Sequence, residues 1–103
     1  MTPEAQRIAI AEACSSVCYL DEENEWRLRG SFNRRFDPLN DLNAIHAVER
    51  TLTPLLWRDY LQNLINVSVG LTGNIFFCYT ATAAQRAEAD LRTIERWKEE
   101  QNA

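Results

Sequence analysis

Apolar residues recur at every third or fourth position in four stretches of the chain. In three others they alternate with polar residues or run without a break. The first spacing marks a helix with one buried face. Alternation marks a half-buried strand, and a short unbroken run marks a strand covered on both sides. The first helix is predicted from about Pro3 to Ser15, with Ala5, Ile8, Ala11 and Cys14 on its apolar face. Strands follow at about 17–20 and 25–29. In the second of these, Trp26 and Leu28 face one way and Arg27 and Arg29 the other. The acidic link Asp21-Glu22-Glu23-Asn24 between them fits a hairpin loop, and residues 30–36 read as a further loop.

The remaining punctuation comes from proline and threonine. Thr2-Pro3, Asp37-Pro38 and Thr53-Pro54 each put a side-chain oxygen before a proline. That oxygen can accept from a free N–H of a first helical turn, and proline at the first helical position gives up an N–H that has no partner anyway. The second helix is therefore placed near Pro38, with the stripe Leu42, Ile45, Val48 and Leu52. The third is placed near Pro54, with Leu56 or Trp57, then Tyr60, Leu61, Leu64 and Ile65. Residues 67–73, with Gly70 and Gly73, read as a loop, and the apolar run at 74–80 as a strand covered on both faces. Thr82-Ala83-Ala84-Gln85 matches a capping box, and Ala84, Ala87, Leu91, Ile94 and Trp97 form the face of the fourth helix. The end, from Lys98 to Ala103, is polar and is expected to fray. The order is α-β-β-α-α-β-α. A doubly covered strand requires helices on both sides, so the expected fold is α+β: a three-layer alpha-beta-alpha sandwich around a small, mostly antiparallel three-stranded sheet.

At 103 residues the chain fits one domain spanning 1–103, with a core thin enough for self-association to help. Being 46% hydrophobic and 25% charged, it is neither a disordered nor a collagen-like chain. No apolar run reaches the roughly 20 residues of a membrane helix, and the N-terminus lacks the pattern of a secretory signal, so the expected location is cytoplasmic. The three cysteines, Cys14, Cys18 and Cys78, are an odd number without a signal. They are expected to be small buried thiols rather than a disulfide framework or a zinc site.

The net charge of -4 argues against direct nucleic-acid binding. The local exception is a basic and aromatic patch of Trp26, Arg27, Arg29, Arg34 and Arg35, which is either an anion contact or a solvated strand face. Three glycines in the whole chain leave no phosphate-binding loop, and no metal or cofactor is expected. His46 is the single histidine, with Asn43 and Glu49 three residues away on either side. A general-base role for it competes with simple pairing to a carboxylate. Arg86 stands in the first turn of its helix, against the helix dipole. An ion pair with a carboxylate such as Asp41 or Glu49 would account for it.

Two stretches carry a family resemblance: Leu39-Asn40-Asp41-Leu42-Asn43-Ala44-Ile45-His46-Ala47-Val48-Glu49, and Ala81-Thr82-Ala83-Ala84-Gln85-Arg86-Ala87-Glu88-Ala89 running on to Leu91-Arg92. With the opening Arg7-Ile8-Ala9-Ile10-Ala11-Glu12-Ala13-Cys14, they resemble the phage ABA sandwich domain, a family of small phage and prophage proteins of unknown function. The chain departs from that pattern at Ser15-Ser16-Val17, at Ala47, and where Ile94-Glu95-Arg96-Trp97 continue the last helix. The resemblance implies helices on both sides of a sheet and a phage origin. It also implies a polar binding patch of Asn40, Asp41, Asn43, His46, Thr82, Gln85 and Arg86. The functional expectation is a non-enzymatic protein in the host cytoplasm that blocks or sequesters a host factor, either a protein or a small-molecule signal of antiviral defence. The alternative is a structural or regulatory phage protein acting as a homo-oligomer, and a His46-based enzyme comes third.

Overall fold

The computed structural model describes residues 1–30, 34–69 and 81–99. The expected strand at 74–80 and Cys78 lie outside them. The described residues form a mixed α/β fold of four helices and one two-stranded antiparallel sheet: α1 Pro3–Ala13, β1 Cys18–Leu20, β2 Trp26–Leu28, α2 Leu42–Glu49, α3 Pro54–Val69 and α4 Ala83–Thr93.

Helix α1 starts as its Thr-Pro pair predicts, with the Thr2 hydroxyl accepting from the Ala5 amide at 3.1 Å. The expected apolar face is rotated, however. Ile10, Ala11 and Cys14 are buried, while Ile8 is 38% exposed. The inward face also carries Arg7, whose Nε donates to Asp37 Oδ1 at 3.0 Å and ties α1 to the turn before α2. Residues 7, 10, 11 and 14 are one helical stripe, but a charged residue in it disguises it as two.

The hairpin forms in the register Cys18↔Leu28, Tyr19↔Arg27 and Leu20↔Trp26. Asp21 organises its loop: Oδ1 accepts from the amides of Glu23 and Glu25, both at 2.9 Å, and Oδ2 accepts from Arg27 Nε, also at 2.9 Å. Asn24 takes the left-handed conformation, φ 61°, that asparagine tolerates better than most residues. Cys18 and Leu28 face the core and Trp26 packs against its edge, as the alternation predicts. Residues 34–36, expected as loop, lie along the other edge of β2. The Leu28 amide donates to Arg34 O at 2.8 Å and the Phe36 amide to Trp26 O at 2.9 Å, which buries Phe36. The additional pairing of β2 therefore comes from residues just after the hairpin.

The second helix begins later than Asp37-Pro38 suggests. Asp37 O accepts from the amides of Asn40 and Asp41, at 3.3 and 2.9 Å, so the proline sits in a turn. The cap is Asp41, whose side chain accepts from the Asn43 amide at 3.0 Å. Of the expected stripe, Ile45 and Val48 are buried and Leu42 is 48% exposed; Ala44 and Glu49 complete the buried face. Thr53-Pro54 does start α3, with the Leu56 amide donating to Thr53 Oγ1 at 3.3 Å.

Helix α4 is the centre of the molecule, packed against α1, α2 and α3. Its capping box is complete, Gln85 N to Thr82 Oγ1 at 3.1 Å and Thr82 N to Gln85 Oε1 at 2.9 Å. Ala83, Ala87 and Leu91 join the main core with Ile10, Ile45 and Phe36. Ala89 joins a second cluster with Tyr60 and Leu64 of α3. The helix was expected to lean on the sheet with Ala84 inward; Ala84 is exposed, and among the described residues α4 packs mainly on helices while sharing the core cluster with Cys18 and Leu28 of the hairpin. Its small side chains let two helical layers approach it closely.

The chain does not continue as helix through Trp97. The Glu95 amide donates to Arg92 O at 3.3 Å and the Arg96 amide to Leu91 O at 2.8 Å, a Schellman motif with Glu95 at φ 61°. Glycine is the usual occupant of that left-handed position, because a Cβ there costs about 1–2 kcal/mol. Glu95→Gly is therefore expected to raise stability by roughly 0.5–1 kcal/mol, after the larger entropy glycine gives the unfolded chain. Urea denaturation should show a higher midpoint with an unchanged slope.

Candidate functional site

Three side chains, one from each of three helices, meet at Glu49, on the last turn of α2. Glu49 is 5% exposed. The Tyr60 hydroxyl of α3 donates a short hydrogen bond to its Oε2. Arg86 Nη1 of α4 donates to the same oxygen at 3.0 Å, and His46 Nδ1 lies 2.5 Å from Oε1. Arg86 also donates from Nε to Ala81 O at 3.1 Å. The ion pair expected of Arg86 is thus made with Glu49, and Asp41 instead pairs with Arg34 at 3.2 Å. Burial, and then the Glu49 hydrogen bond and charge, raise the Tyr60 hydroxyl well above its ordinary range. Tyr60 therefore acts as a donor and holds its proton.

Asp90 lies on the inward face of α4, one turn beyond Arg86, and is 1% exposed. Its Oδ2 has no hydrogen-bond partner among the described residues. Burial, reinforced by the charge of Glu49, pushes its carboxyl up to about 7. Cys14, at the end of α1, is pushed up to about 11 by burial first and by the charge of Asp90 second. Cys18 reaches about 11 through burial, and its Sγ lies 3.4 Å from Cys14 O. Both cysteines are free, buried thiols, as expected, and remain protonated and unreactive at neutral pH.

The structure divides the polar patch implied by the resemblance. His46 and Arg86 meet at Glu49. Asn40 Nδ2 donates to Asp37 Oδ2 at 3.0 Å and Asp41 caps α2, so both serve the start of that helix. Asn43 is exposed, and Thr82 and Gln85 bond each other in the capping box. Tyr60 and Asp90 were missed as part of this cluster. Tyr60 reads as one more apolar-face residue of α3. Asp90 follows Ala87 by three positions and precedes Leu91, so a carboxylate inside an apolar stripe was the available signal.

No family model, curated protein or solved structure matches this chain.

The basic patch is equally occupied. Arg27 pairs with Asp21 at 2.9 Å, Arg34 with Asp41 at 3.2 Å and Arg35 with Glu25 at 3.8 Å. Arg29 donates to Ser15 O at 3.1 Å and lies over the Tyr19 ring. Among the described residues, three of these arginines thus already sit against a carboxylate, and Arg29 does not. Chemically, the Glu49 cluster is a set of donors closed around one carboxylate. The His46 side chain, 43% exposed, is its contact with solvent. Grooves along α1 and between α3 and α4 are lined by other side chains. Among the described residues no three His, Cys, Asp or Glu side chains are placed to hold a metal ion, and no helix is long and apolar enough to cross a membrane.

Proposed function

We propose that this chain acts by binding a protein surface, either a partner's or that of a second copy, and not by turning over a substrate. The observation that carries the reading is the outer side of α3. Trp57 and Leu61, one turn apart on the same face, are 39% and 38% exposed. Trp57 is held in place by stacking on Tyr60, with ring centroids 5.1 Å apart, and Tyr60 is in turn fixed by Glu49. Isolated surface leucines are ordinary, but an ordered tryptophan beside a leucine is the composition of an interface centre. The closed Glu49 cluster and the occupied arginines support binding over catalysis and over nucleic-acid contact.

The resemblance of the sequence to phage ABA sandwich proteins extends the proposal. On that reading the layers form a three-layer sandwich, and the chain works in the cytoplasm of a phage's host. It occupies a host factor there, or assembles with itself to do so.

Native mass spectrometry of the chain purified from its host, beside Leu61→Asp, tests the reading. The expected result is a species heavier than 11.9 kDa that the variant reduces to the single chain while its circular dichroism is unchanged. A wild-type chain that is single and empty, with a variant indistinguishable from it, overturns the proposal.

A further inference from the structure

Asp90 Oδ2 is the one buried side-chain oxygen or nitrogen among the described residues without a hydrogen-bond partner. Titratable groups come from every helix packed on α4. Glu49 of α2 presents a negative charge, and the Cys14 thiol lies at the end of α1. Arg86, one turn earlier on α4, directs Nη1 to Glu49, and the Tyr60 hydroxyl of α3 is directed there as well. His46 reaches Glu49 from the solvent side. Arg96, beyond the end of α4, acts on Cys14. These described donors are thus gathered on Glu49, whose charge Asp90 feels, while Asp90 Oδ2 has no hydrogen-bond partner among the described residues.

We propose that Asp90 and Glu49 form a proton-operated latch at the centre of the fold, closed while Asp90 carries a proton and loosened when it loses it. Protonated, Asp90 is a neutral group in an apolar layer, and α4 packs against α1 and α2. Ionised, it adds a second buried negative charge within the influence of Glu49, with no hydrogen-bond donor on Oδ2 among the described residues to offset it. Such a pair separates, or one member takes up a proton. Because α1, α2 and α3 all pack on α4, loosening at this point reaches its packing against each of them.

The sign follows from the proton count. The folded chain holds the Asp90 proton up to about pH 7, whereas the unfolded chain releases it near 3.8. Between those values the native state binds more protons, so stability falls as pH rises, and it levels off above the folded value. Raising the pH from about 5 to about 8 is expected to reduce the folding equilibrium constant on the order of a hundredfold through this group. Asp21 and Asp37 are both held below the usual carboxylate range, so they do not titrate in that window.

The test is urea denaturation of the full chain across that range, for the wild type and for Asp90→Asn. The expected result is a midpoint that falls with pH in the wild type, and a variant that lacks this fall and is the more stable protein at the alkaline end. A variant that loses stability with pH as the wild type does overturns the proposal. If Asp90→Asn does not fold, infrared spectroscopy of the wild type in heavy water decides. A carboxylic-acid carbonyl band at about pH 6 that disappears by about pH 8 supports the latch, and its absence at the lower pH overturns it.

Discussion

Glu49→Ala is expected to destabilise the fold by about 3–5 kcal/mol, the range for removing one partner of a buried ion pair. Two buried donors, the Tyr60 hydroxyl and Arg86 Nη1, lose the oxygen they share, and a side-chain-sized gap opens between α2, α3 and α4. One effect opposes this. Without Glu49, Asp90 is relieved of a neighbouring negative charge. Burial, not Glu49, is the larger cause of the Asp90 shift, so the relief is the smaller contribution and the loss wins. A double-mutant cycle with Tyr60→Phe isolates the hydrogen bond. In the wild type, Tyr60→Phe should cost roughly 1.5–3 kcal/mol, as expected for a bond to a charged group. In the Glu49→Ala background it should cost far less, a coupling of about 0.5–3 kcal/mol. Urea denaturation of the four proteins measures both. A Glu49→Ala variant within about 0.5 kcal/mol of the wild type, in the range of ordinary surface changes, would mean the cluster does not hold these helices together.

Local chemistry was legible in the sequence, and its long-range consequences were only partly so. The capping box at Thr82 and Gln85, the acidic hairpin loop and the Thr-Pro helix starts each depend on residues within a few positions of one another. The same reasoning failed at Asp37-Pro38, because a turn and a helix start use the same pair. It failed on α1 because Arg7 interrupts the apolar spacing, and that arginine belongs inward only once Asp37 is beside it. The layer arrangement was less legible still. The reading of α4 as a helix on a sheet came from its alanines, which permit close approach to any partner. In the fold they admit α1, α2 and α3, and the expected third strand lies outside the described residues. The link between Arg86 and Glu49 was accessible because a cation at a helix N-terminus demands a carboxylate. The inclusion of Tyr60 and Asp90 was not, since periodicity says which face is buried and not which polar atoms meet there.

Leu91→Ala is expected to cost about 2–5 kcal/mol, as a fully buried leucine does when truncated in a core that relaxes only in part. Leu91 is 0% exposed and packs in the main core with Ile10, Ala87 and Ile45. Its carbonyl also receives the Arg96 and Trp97 amides, at 2.8 and 3.1 Å, so its position sets where the chain turns after α4. Alanine keeps that carbonyl. The loss therefore comes from the removed methyl groups and the cavity, and the turn should survive. Leu55→Ala is the control: the same atoms are deleted at a site 82% exposed, and the expected change lies within about 0.5 kcal/mol. Thermal and urea denaturation of both variants measure the contrast. Comparable losses at the two positions would mean that the cost at Leu91 does not come from its burial.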